Sequence, residues 1–426
     1  MNFRNTNLSF GQSVGLHFLL ASLLYCILYA LGEIKVLPNT ETLISWDAVN
    51  YYTIQHRGYV DYQAPTSNIP FFPFVGLIWR WLHLSVYGAT VLNIVFFLLG
   101  FFLLHRHFHF STQNILLYVS VPSIFFLCVP YAEALFFLSS VLAILGLEKK
   151  NYWLMSLGFI LAAMTRPSAM FFLPAIFFVE LVSLSELNWA NLKNAMVRIF
   201  LMTSMVVTGL MIVFWIQYEA TGEWFAFFKQ RDKNSFRIPQ FPLTTWRGAK
   251  LLWLDGLAYA VALSSFFLGV KIFCTQFFLK NRSQEKTPKA VLFSLAFLAM
   301  TMIHILFFND KSDSTNPTSL FGLNRFVFAT PFFVVVFNYF LDRLNFQHNR
   351  AKYSLFLFLI LFLWMVGIFH FSNYPDHLRP LVYFLFIVSF LLLKDKFKRY
   401  WILVYVVHIS TQVLLFDKFL RGIWVG

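Results

Sequence analysis

Charged residues are scarce in this chain, and their scarcity excludes a water-soluble globular fold. They make up 12% of the 426 residues, whereas hydrophobic residues make up 59% and aromatic residues 20%. Soluble domains carry about 25% charged residues, because water must solvate their surfaces. The composition therefore predicts a protein whose solvent is the lipid bilayer, with no segment left over for a large soluble domain.

Cysteine is also rare, and linkers and internal repeats are lacking. Cys26, Cys128 and Cys274 lie in or beside apolar segments and do not have the spacing of a metal-binding motif. Neither a disulfide framework nor a metal site is therefore expected. We find no convincing internal repeat and no stretch rich in proline, glycine and serine. The chain is predicted to form a single transmembrane domain over residues 1–426.

Apolar runs recur along the whole chain and predict an all-α polytopic membrane protein. About 20 apolar residues are needed to cross the hydrocarbon core, where a helix satisfies its own backbone hydrogen bonds. The first run, Gly15–Leu31, is not followed by a signal-peptide cleavage site, so we expect an uncleaved span. We predict about 11–13 transmembrane helices, near 14–34, 88–104, 114–128, 133–147, 153–165, 168–183, 195–216, 250–272, 290–308, 326–341, 353–371, 380–393 and 400–416.

Short basic breaks between these runs predict the orientation. Lysine and arginine cluster at 148–150, 280–289, 343–352 and 394–399. Short basic loops stay on the cytoplasmic side of a membrane, so the loops 35–87 and 217–249 should face outward. Any active site in these loops is then expected to be extracytoplasmic, in the plasma membrane if the source is a prokaryote and in the endoplasmic reticulum membrane if it is a eukaryote.

The formal net charge of +14 has the same explanation. Most basic residues lie between apolar runs, where membrane orientation requires them, so no nucleic-acid partner is predicted. One outer segment departs from this pattern, because residues 229–250 carry six lysine or arginine residues. That segment is a candidate anion-binding surface.

The first outer loop combines one carboxylate with aromatic rings and cations. Asp47 and Tyr51 share a face if this segment is helical, and Gly58 can end the helix. Two interpretations remain open: the loop is part of an active site, or it is an interfacial aromatic belt in which Asp47 caps a helix. Farther along, Pro70–Leu84 is typical of an interfacial helix that could guide a lipid tail, or of a short packing helix.

Three more ionisable residues lie at the predicted outer ends of spans. Glu133, Arg166 and Arg325 are costly near a bilayer and are functional candidates for that reason. The alternatives are structural: Glu133 and Arg166 can form a buried ion pair, and Arg325 can extend to the interface. These residues, together with Asp47 and Gln230, are predicted to converge on the outer side.

Several short motifs, in this order, resemble those of the PIG-V type mannosyltransferases, the family that adds the second mannose of glycosylphosphatidylinositol precursors. They are Ser45–Tyr59, Asn68–Pro73, Pro122–Phe136, Thr165–Ser168, Thr221–Gln230 and Asn324–Pro331. The first, with Trp46-Asp47-Ala48, is the most specific. Gln55, Ala132 and Phe326 depart from the family pattern.

The resemblance implies a GT-C architecture, in which a polyprenyl- or dolichyl-phosphate sugar is used at the outer face and Asp47 is the catalytic base. Inverting displacement on such a donor requires one carboxylate and cations for the leaving phosphate. The candidate phosphate-binding residues are Arg57, His56, Arg166 and Arg325. The candidates for substrate binding or support of the site are Trp46, Tyr51, Tyr52, Glu133 and Gln230.

The implied function is transfer of a hexose, with mannose favoured by the family, to a glycolipid or cell-envelope glycan. The expected partners are membrane lipids, the lipid-linked donor and the acceptor. The scheme requires no cofactor, and we see no acidic cluster that could hold a metal. Two alternatives remain: a polymerase or ligase of lipid-linked oligosaccharides, which shares the donor chemistry, and a polytopic transporter, whose site would lie near the membrane midplane between repeats.

Overall fold

The structure, a computed structural model, describes residues 8–60, 67–184, 188–234, 252–277, 287–308, 320, 322–343, 374–394 and 396–425. These residues are helical almost throughout, and no β-strand occurs among them. The prediction of an all-α protein is therefore confirmed for the described part of the chain.

The helices follow one another with short connections. The first are α1 (Phe10–Ala30), α2 (Thr40–Leu43), α3 (Asp47–Arg57), α4 (Phe74–Trp81), α5 (Val86–Phe108), α6 (Thr112–Val119), α7 (Glu133–Lys149), α8 (Tyr152–Thr165) and α9 (Phe172–Val182). The next are α10 (Trp189–Thr221), α11 (Ala226–Asn234), α12 (Leu252–Phe277), α13 (Lys289–Phe308), α14 (Leu323–Phe328), α15 (Pro331–Arg343), α16 (Tyr374–Leu393) and α17 (Tyr400–Leu420).

Six of the described helices are long and apolar enough to cross a membrane: α1, α5, α10, α12, α13 and α17. Only 22% of the apolar window of α1 and 33% of those of α5 and α10 is buried, whereas 61% of that of α13 is buried. Apolar surface of this extent is not tolerated in water. The chain is therefore an all-α integral membrane protein, in which α1, α5 and α10 expose apolar surface suited to lipid and α13 packs in the interior.

Two predicted spans are not continuous α-helices. The span at 114–128 is divided between α6 and a 3₁₀ helix at Pro122–Leu127. The span at 168–183 begins as a 3₁₀ helix at Pro167–Phe171 and becomes α-helical only in α9. Proline lacks a backbone N–H and disfavours the α conformation in the residue before it. This backbone restriction overrides the apolar pattern from which the spans were predicted.

A third predicted span, 326–341, is divided in the same way. Helix α14 ends at Phe328, and α15 begins at Pro331. The predicted span at 353–371 lies outside the described residues. The predicted number of spans therefore stays a prediction, while the six long helices are established for the described part of the chain.

Glycines allow α7, α8 and α10 to pack with their backbones in contact. A Cβ atom on Gly158 of α8 would lie 2.2 Å from the backbone nitrogen of Ala143 in α7. A Cβ atom on Gly209 of α10 would lie 2.5 Å from the carbonyl oxygen of Ile160 in α8. Small residues permit this close approach between membrane helices. Helix α8 is thus held between its two neighbours, which fixes the position of the residues that follow it.

Gly158→Ala should lower the stability of the protein, although alanine is the better helix former by about 1 kcal/mol. The added methyl group would overlap the backbone of α7, and overpacking of this kind costs about 1–3 kcal/mol. Gly15→Ala in α1 is the matched control, since no described atom lies within 4 Å of a Cβ there. The thermal unfolding midpoint of the detergent-solubilised protein should fall for Gly158→Ala alone, and equal midpoints would contradict the close packing.

Charged residues gather where α7 ends and α13 begins. Glu180 of α9 accepts hydrogen bonds from Arg198 of α10 and Lys289 of α13, each at 2.6 Å. Glu148, near the C-terminal end of α7, accepts from the backbone nitrogen of Ala290 at 2.5 Å. Two of the basic breaks named above therefore lie side by side, at the end of the bundle opposite the first residue of α7. The side of the membrane on which each end lies stays a prediction.

Cysteine labelling tests the predicted orientation. In a background whose three native cysteines are replaced by alanine, Glu41→Cys in α2 should react with a membrane-impermeant maleimide added to intact cells. Lys149→Cys at the end of α7 should react only after permeabilisation, because basic loops stay in the cytoplasm. Both positions are exposed in the structure. The reverse pattern would invert the predicted topology.

Candidate functional site

Four charged side chains meet where α3, α7 and α14 begin and where α8 ends. Arg166 Nη1 lies 2.9 Å from Glu133 Oε1, and Arg325 Nη2 lies 2.6 Å from Asp47 Oδ2. Arg325 also donates through Nε to Glu133 Oε1, so one carboxylate oxygen accepts from both guanidinium groups. The Glu133 side chain is 0% exposed and that of Asp47 is 21% exposed. Four of the predicted site residues are therefore in contact.

Aromatic rings enclose the two guanidinium groups. The Cζ atom of Arg325 lies 4.5 Å from the ring centroid of Tyr131 and 5.3 Å from that of Phe126. Arg166 Cζ lies 5.0 Å from the ring centroid of Phe326. Desolvated cation–π contacts contribute about 2 kcal/mol. Arg325 is thus buried in a cluster and does not extend to the interface, which was the structural alternative for it.

A buried amide fixes the turn that precedes Glu133. Asn93 of α5 donates through Nδ2 to the carbonyl oxygens of Val129, at 2.6 Å, and Tyr131, at 2.9 Å. These carbonyls have no helical partner because the chain is broken around Pro130. Asn93 was not identified from the sequence, although a polar residue within an apolar run is a recognisable signal.

A second buried network fixes Arg325. The Asp255 carboxylate of α12 accepts from the backbone nitrogen of Asn324 at 2.8 Å and from its Nδ2 at 2.6 Å. Ser123 donates to Asn324 Oδ1 at 2.7 Å. Because Asn324 precedes Arg325, these bonds set the start of α14 and the direction of the arginine. Asp255 was also missed by sequence analysis, although it is an acidic residue within an apolar run.

A strained turn brings Asp47 to Arg325. Trp46 has φ 56° and ψ −121°, which are the angles of the first central residue of a type II′ turn. The backbone nitrogen of Ala48 closes the turn by donating to Ser45 O at 3.2 Å. Glycine is usual at this position, and a side chain there costs about 1–3 kcal/mol.

Asp47 is the first residue of α3 and does not occupy the N-cap position. The N-cap is Trp46, whose side chain makes no capping hydrogen bond among the described residues. The Asp47 carboxylate is instead engaged with Arg325. The interpretation of Asp47 as a mere helix cap therefore does not hold.

The predicted interfacial helix over Pro70–Leu84 is shorter than expected and packs on α3 as α4. Arg80 of α4 donates to the carbonyl oxygens of Ile54, at 2.9 Å, and Gln55, at 2.5 Å. These carbonyls belong to the last turn of α3, where the Ile54 carbonyl oxygen also accepts from the backbone nitrogen of Gly58 at 3.1 Å. The contact fixes the C-terminal end of α3. The role of α4 in guiding a lipid tail stays a prediction.

A cavity of about 420 Å³ adjoins the charged cluster. Asp47, Arg166 and Arg325 line it, and Glu133 is not among its described lining residues. Tyr51 lies beside them, and burial raises the pKa of its hydroxyl above the ordinary value, so the hydroxyl stays protonated. Much of the remaining wall is aromatic, formed by Phe71, Phe171, Phe227, Phe228, Phe308 and Phe326. The cavity thus has a charged part and a large apolar part.

The structure does not bring two predicted phosphate-binding residues to this cavity. His56 and Arg57 are exposed and are not among the described residues that line it. The His56 ring packs at 4.1 Å on Tyr52 and its Nδ1 lies 3.0 Å from the carbonyl oxygen of that residue. His56 is nine residues after Asp47, which places it roughly 180° around the helix. We selected His56 from the composition of the loop, and composition alone does not show that His56 and Asp47 lie on opposite faces of α3.

Two more predicted residues are not among the described residues that line the cavity, whereas its wall includes polar residues that were not selected as candidates. Trp46 is exposed and packs on Trp424 with ring centroids 4.8 Å apart. Gln230 is buried in α11 but does not belong to the described lining. Ser168 and His304 line the cavity on the wall formed by the chain after α8 and by α13. A histidine within the apolar run of α13 was the available signal.

The described residues contain no group of three histidine, cysteine, aspartate or glutamate side chains placed to hold a metal ion. No protein-family model matches the chain, and comparison with curated proteins and with solved structures gives no match. The family resemblance therefore stays a prediction from the sequence motifs.

Glu133→Gln should destabilise the protein by about 3–5 kcal/mol, because two buried guanidinium groups would lose the carboxylate that they share. Glu223→Gln is the matched control: Glu223 pairs with Lys229 at the surface, where an ion pair contributes about 0–1 kcal/mol. Denaturant unfolding of the purified variants measures both changes. Equal free energies of unfolding would show that the buried cluster is not a structural centre.

Proposed function

We propose that this protein is a membrane glycosyltransferase of the GT-C type. It would transfer a hexose, with mannose favoured, from a polyprenyl- or dolichyl-phosphate sugar to a glycolipid or cell-envelope glycan at the extracytoplasmic face. The observation that carries the proposal is the lining of one cavity by a partly exposed carboxylate, Asp47, and two buried guanidinium groups, Arg166 and Arg325. The resemblance of the sequence motifs gives independent support.

The reaction is a single displacement with inversion at the anomeric carbon. The acceptor oxygen forms a bond to this carbon while its proton passes to Asp47. The bond from the anomeric carbon to the phosphate oxygen breaks, and the lipid phosphate leaves with the electron pair. Arg166 and Arg325 can bind the phosphate, since guanidinium matches its geometry with two parallel hydrogen bonds.

One carboxylate is sufficient for this chemistry. A glycoside hydrolase needs a second carboxyl group to protonate a poor leaving group, whereas a phosphate leaves as an anion that cations stabilise. Glu133 is fully buried between the arginines and does not face the cavity. It therefore orients the phosphate-binding groups and does not act as an acid.

The apolar part of the cavity suits the lipid portion of the donor. Phe227 and Phe228 of α11 line it together with Phe171 and Phe308, so the wall is rich in aromatic rings. An isoprenoid chain gains about 25 cal/mol for each Å² of its surface removed from water. The neutral Tyr51 hydroxyl beside Asp47 is a hydrogen-bond donor for a hydroxyl or phosphate oxygen.

Transfer of labelled sugar from polyprenyl-phosphate mannose and polyprenyl-phosphate glucose by the purified protein tests the proposal. Asp47→Asn should lower the rate by about 10²–10⁴-fold, the usual contribution of a general base. Glu41→Gln is the matched control, because it removes another carboxylate of the same outer loop from the exposed helix α2. Its rate should equal that of the wild type.

An active Asp47→Asn variant would contradict the assignment of the base. Failure of wild-type protein to use either donor, in the presence of membrane lipid extract as the source of acceptor, would contradict the proposed donor class. Equal unfolding midpoints of the three proteins establish that differences in rate do not arise from misfolding.

A further inference from the structure

Arg325 donates hydrogen bonds to two carboxylates through two of its nitrogen atoms, and the two carboxylates have different surroundings. Its Nε donates to Glu133, which is fully buried and is shared with Arg166. Its Nη2 donates to Asp47, which is partly exposed and lines the cavity. Rings of Tyr131 and Phe126 hold the guanidinium plane. The arginine is therefore fixed, and its Nη2 is occupied by Asp47 beside the cavity that both residues line.

Glu133 and Asp47 differ in the free energy that would be lost if each carboxylate moved away from its arginine partner. Removing Glu133 from Arg325 would also remove it from Arg166 and leave buried charges uncompensated. Among the ion pairs of the described residues, Asp47 is bonded to Arg325 alone, and its side chain is 21% exposed. A movement of Asp47 into the cavity would keep its carboxylate accessible to polar groups there.

The two arginines and the two carboxylates have compensating charges, so the cluster has no net charge. A phosphate group near Arg325 would meet the Asp47 carboxylate as well, and like charges in close contact repel each other strongly. Binding of an anion at Arg325 Nη2 therefore requires Asp47 to withdraw, or else the attraction of the arginine is largely cancelled.

The backbone turn that precedes Asp47 is strained. The angles of Trp46 are those for which glycine is normally needed. Strained residues persist where surrounding contacts hold them, and the Arg325 contact is one that holds this turn. Loss of that contact would allow the turn to relax, which lowers the cost of moving Asp47.

We propose that the Asp47 carboxylate occupies the anion-binding position at Nη2 of Arg325 and that the phosphate group of the ligand displaces it. The displacement frees the lone pairs of Asp47 to accept the proton of the acceptor hydroxyl. Binding of the donor phosphate and availability of the base are thereby coupled. In its choice of a phosphate-bearing ligand this inference rests on the proposed function.

Binding of farnesyl phosphate to the purified full-length protein, measured by titration calorimetry in detergent, tests the exchange without any turnover. Asp47→Asn should bind this ligand about tenfold more tightly than the wild type, since the phosphate gains a charge-assisted contact without displacing a carboxylate. A mere structural role of Asp47 would leave the affinity unchanged or weaken it.

Three controls make the result specific. Glu41→Gln removes one negative charge from the same loop and should leave the affinity unchanged. Farnesol, which lacks the phosphate, should bind equally to wild type and Asp47→Asn. Arg325→Gln should remove the gain when it is combined with Asp47→Asn.

Binding of inorganic phosphate is measured in the same way, because the phosphate group can belong to a lipid or be free in solution. A gain with farnesyl phosphate alone supports exchange with a lipid headgroup, and a gain with both supports exchange with any phosphate. Equal or weaker binding of both by Asp47→Asn overturns the exchange.

The outcome is separable from that of the proposed function. Tighter binding without sugar transfer from either donor would retain the exchange and reject the glycosyltransferase. Sugar transfer by the wild type with unchanged binding by Asp47→Asn would retain the enzyme and reject the exchange.

Discussion

The shared hydrogen bonds of Glu133 are the interaction on which the candidate site depends. A single buried oxygen, Oε1, accepts from Arg166 and Arg325, which come from parts of the chain more than 150 residues apart. A buried carboxylate without cations, or buried guanidinium groups without a carboxylate, would cost several kcal/mol. The three side chains therefore stabilise each other only when α7, α8 and α14 are correctly packed, and this requirement fixes the position of the cavity.

The breaks in the apolar helices make this arrangement possible. Proline at positions 122, 167 and 331 ends or delays helices near the charged cluster. Irregular backbone at such sites must find hydrogen-bond partners within the protein. Asn93 provides such partners around Pro130, for two carbonyl oxygens, and Asp255 provides one at the start of α14, for the backbone N–H of Asn324. Two polar residues on transmembrane helices thus maintain the two segments that present Glu133 and Arg325.

Sequence analysis predicted those features of the fold and of the site that follow from hydropathy and from the rarity of charged residues. Apolar runs indicated the long helices, and the cost of ionisable groups near a bilayer singled out Glu133, Arg166 and Arg325. It did not predict which residues of α3 face inward, because Asp47 and Tyr51 carry the same kind of polar signal as His56 and Arg57. It also extended helices across Pro122 and Pro331, where the hydropathy is uniform but the backbone is interrupted. Hydropathy encodes neither feature: the phase follows from the helical period of 3.6 residues, and the interruption follows from the missing N–H of proline and its effect on the preceding residue.

The unequal burial of the two carboxylates gives the cluster its chemical asymmetry. Two arginines beside a cavity would be difficult to stabilise without negative partners, yet two permanently bound carboxylates would leave no affinity for an anion. The protein contains one carboxylate of each kind: Glu133, which is 0% exposed and bonded to both arginines, and Asp47, which is 21% exposed and bonded to one. Compensation by Glu133 is part of the buried fold, whereas Asp47 lies at the cavity surface. In the proposed exchange, stability depends on Glu133 and anion binding depends on the departure of Asp47, so one cluster serves both.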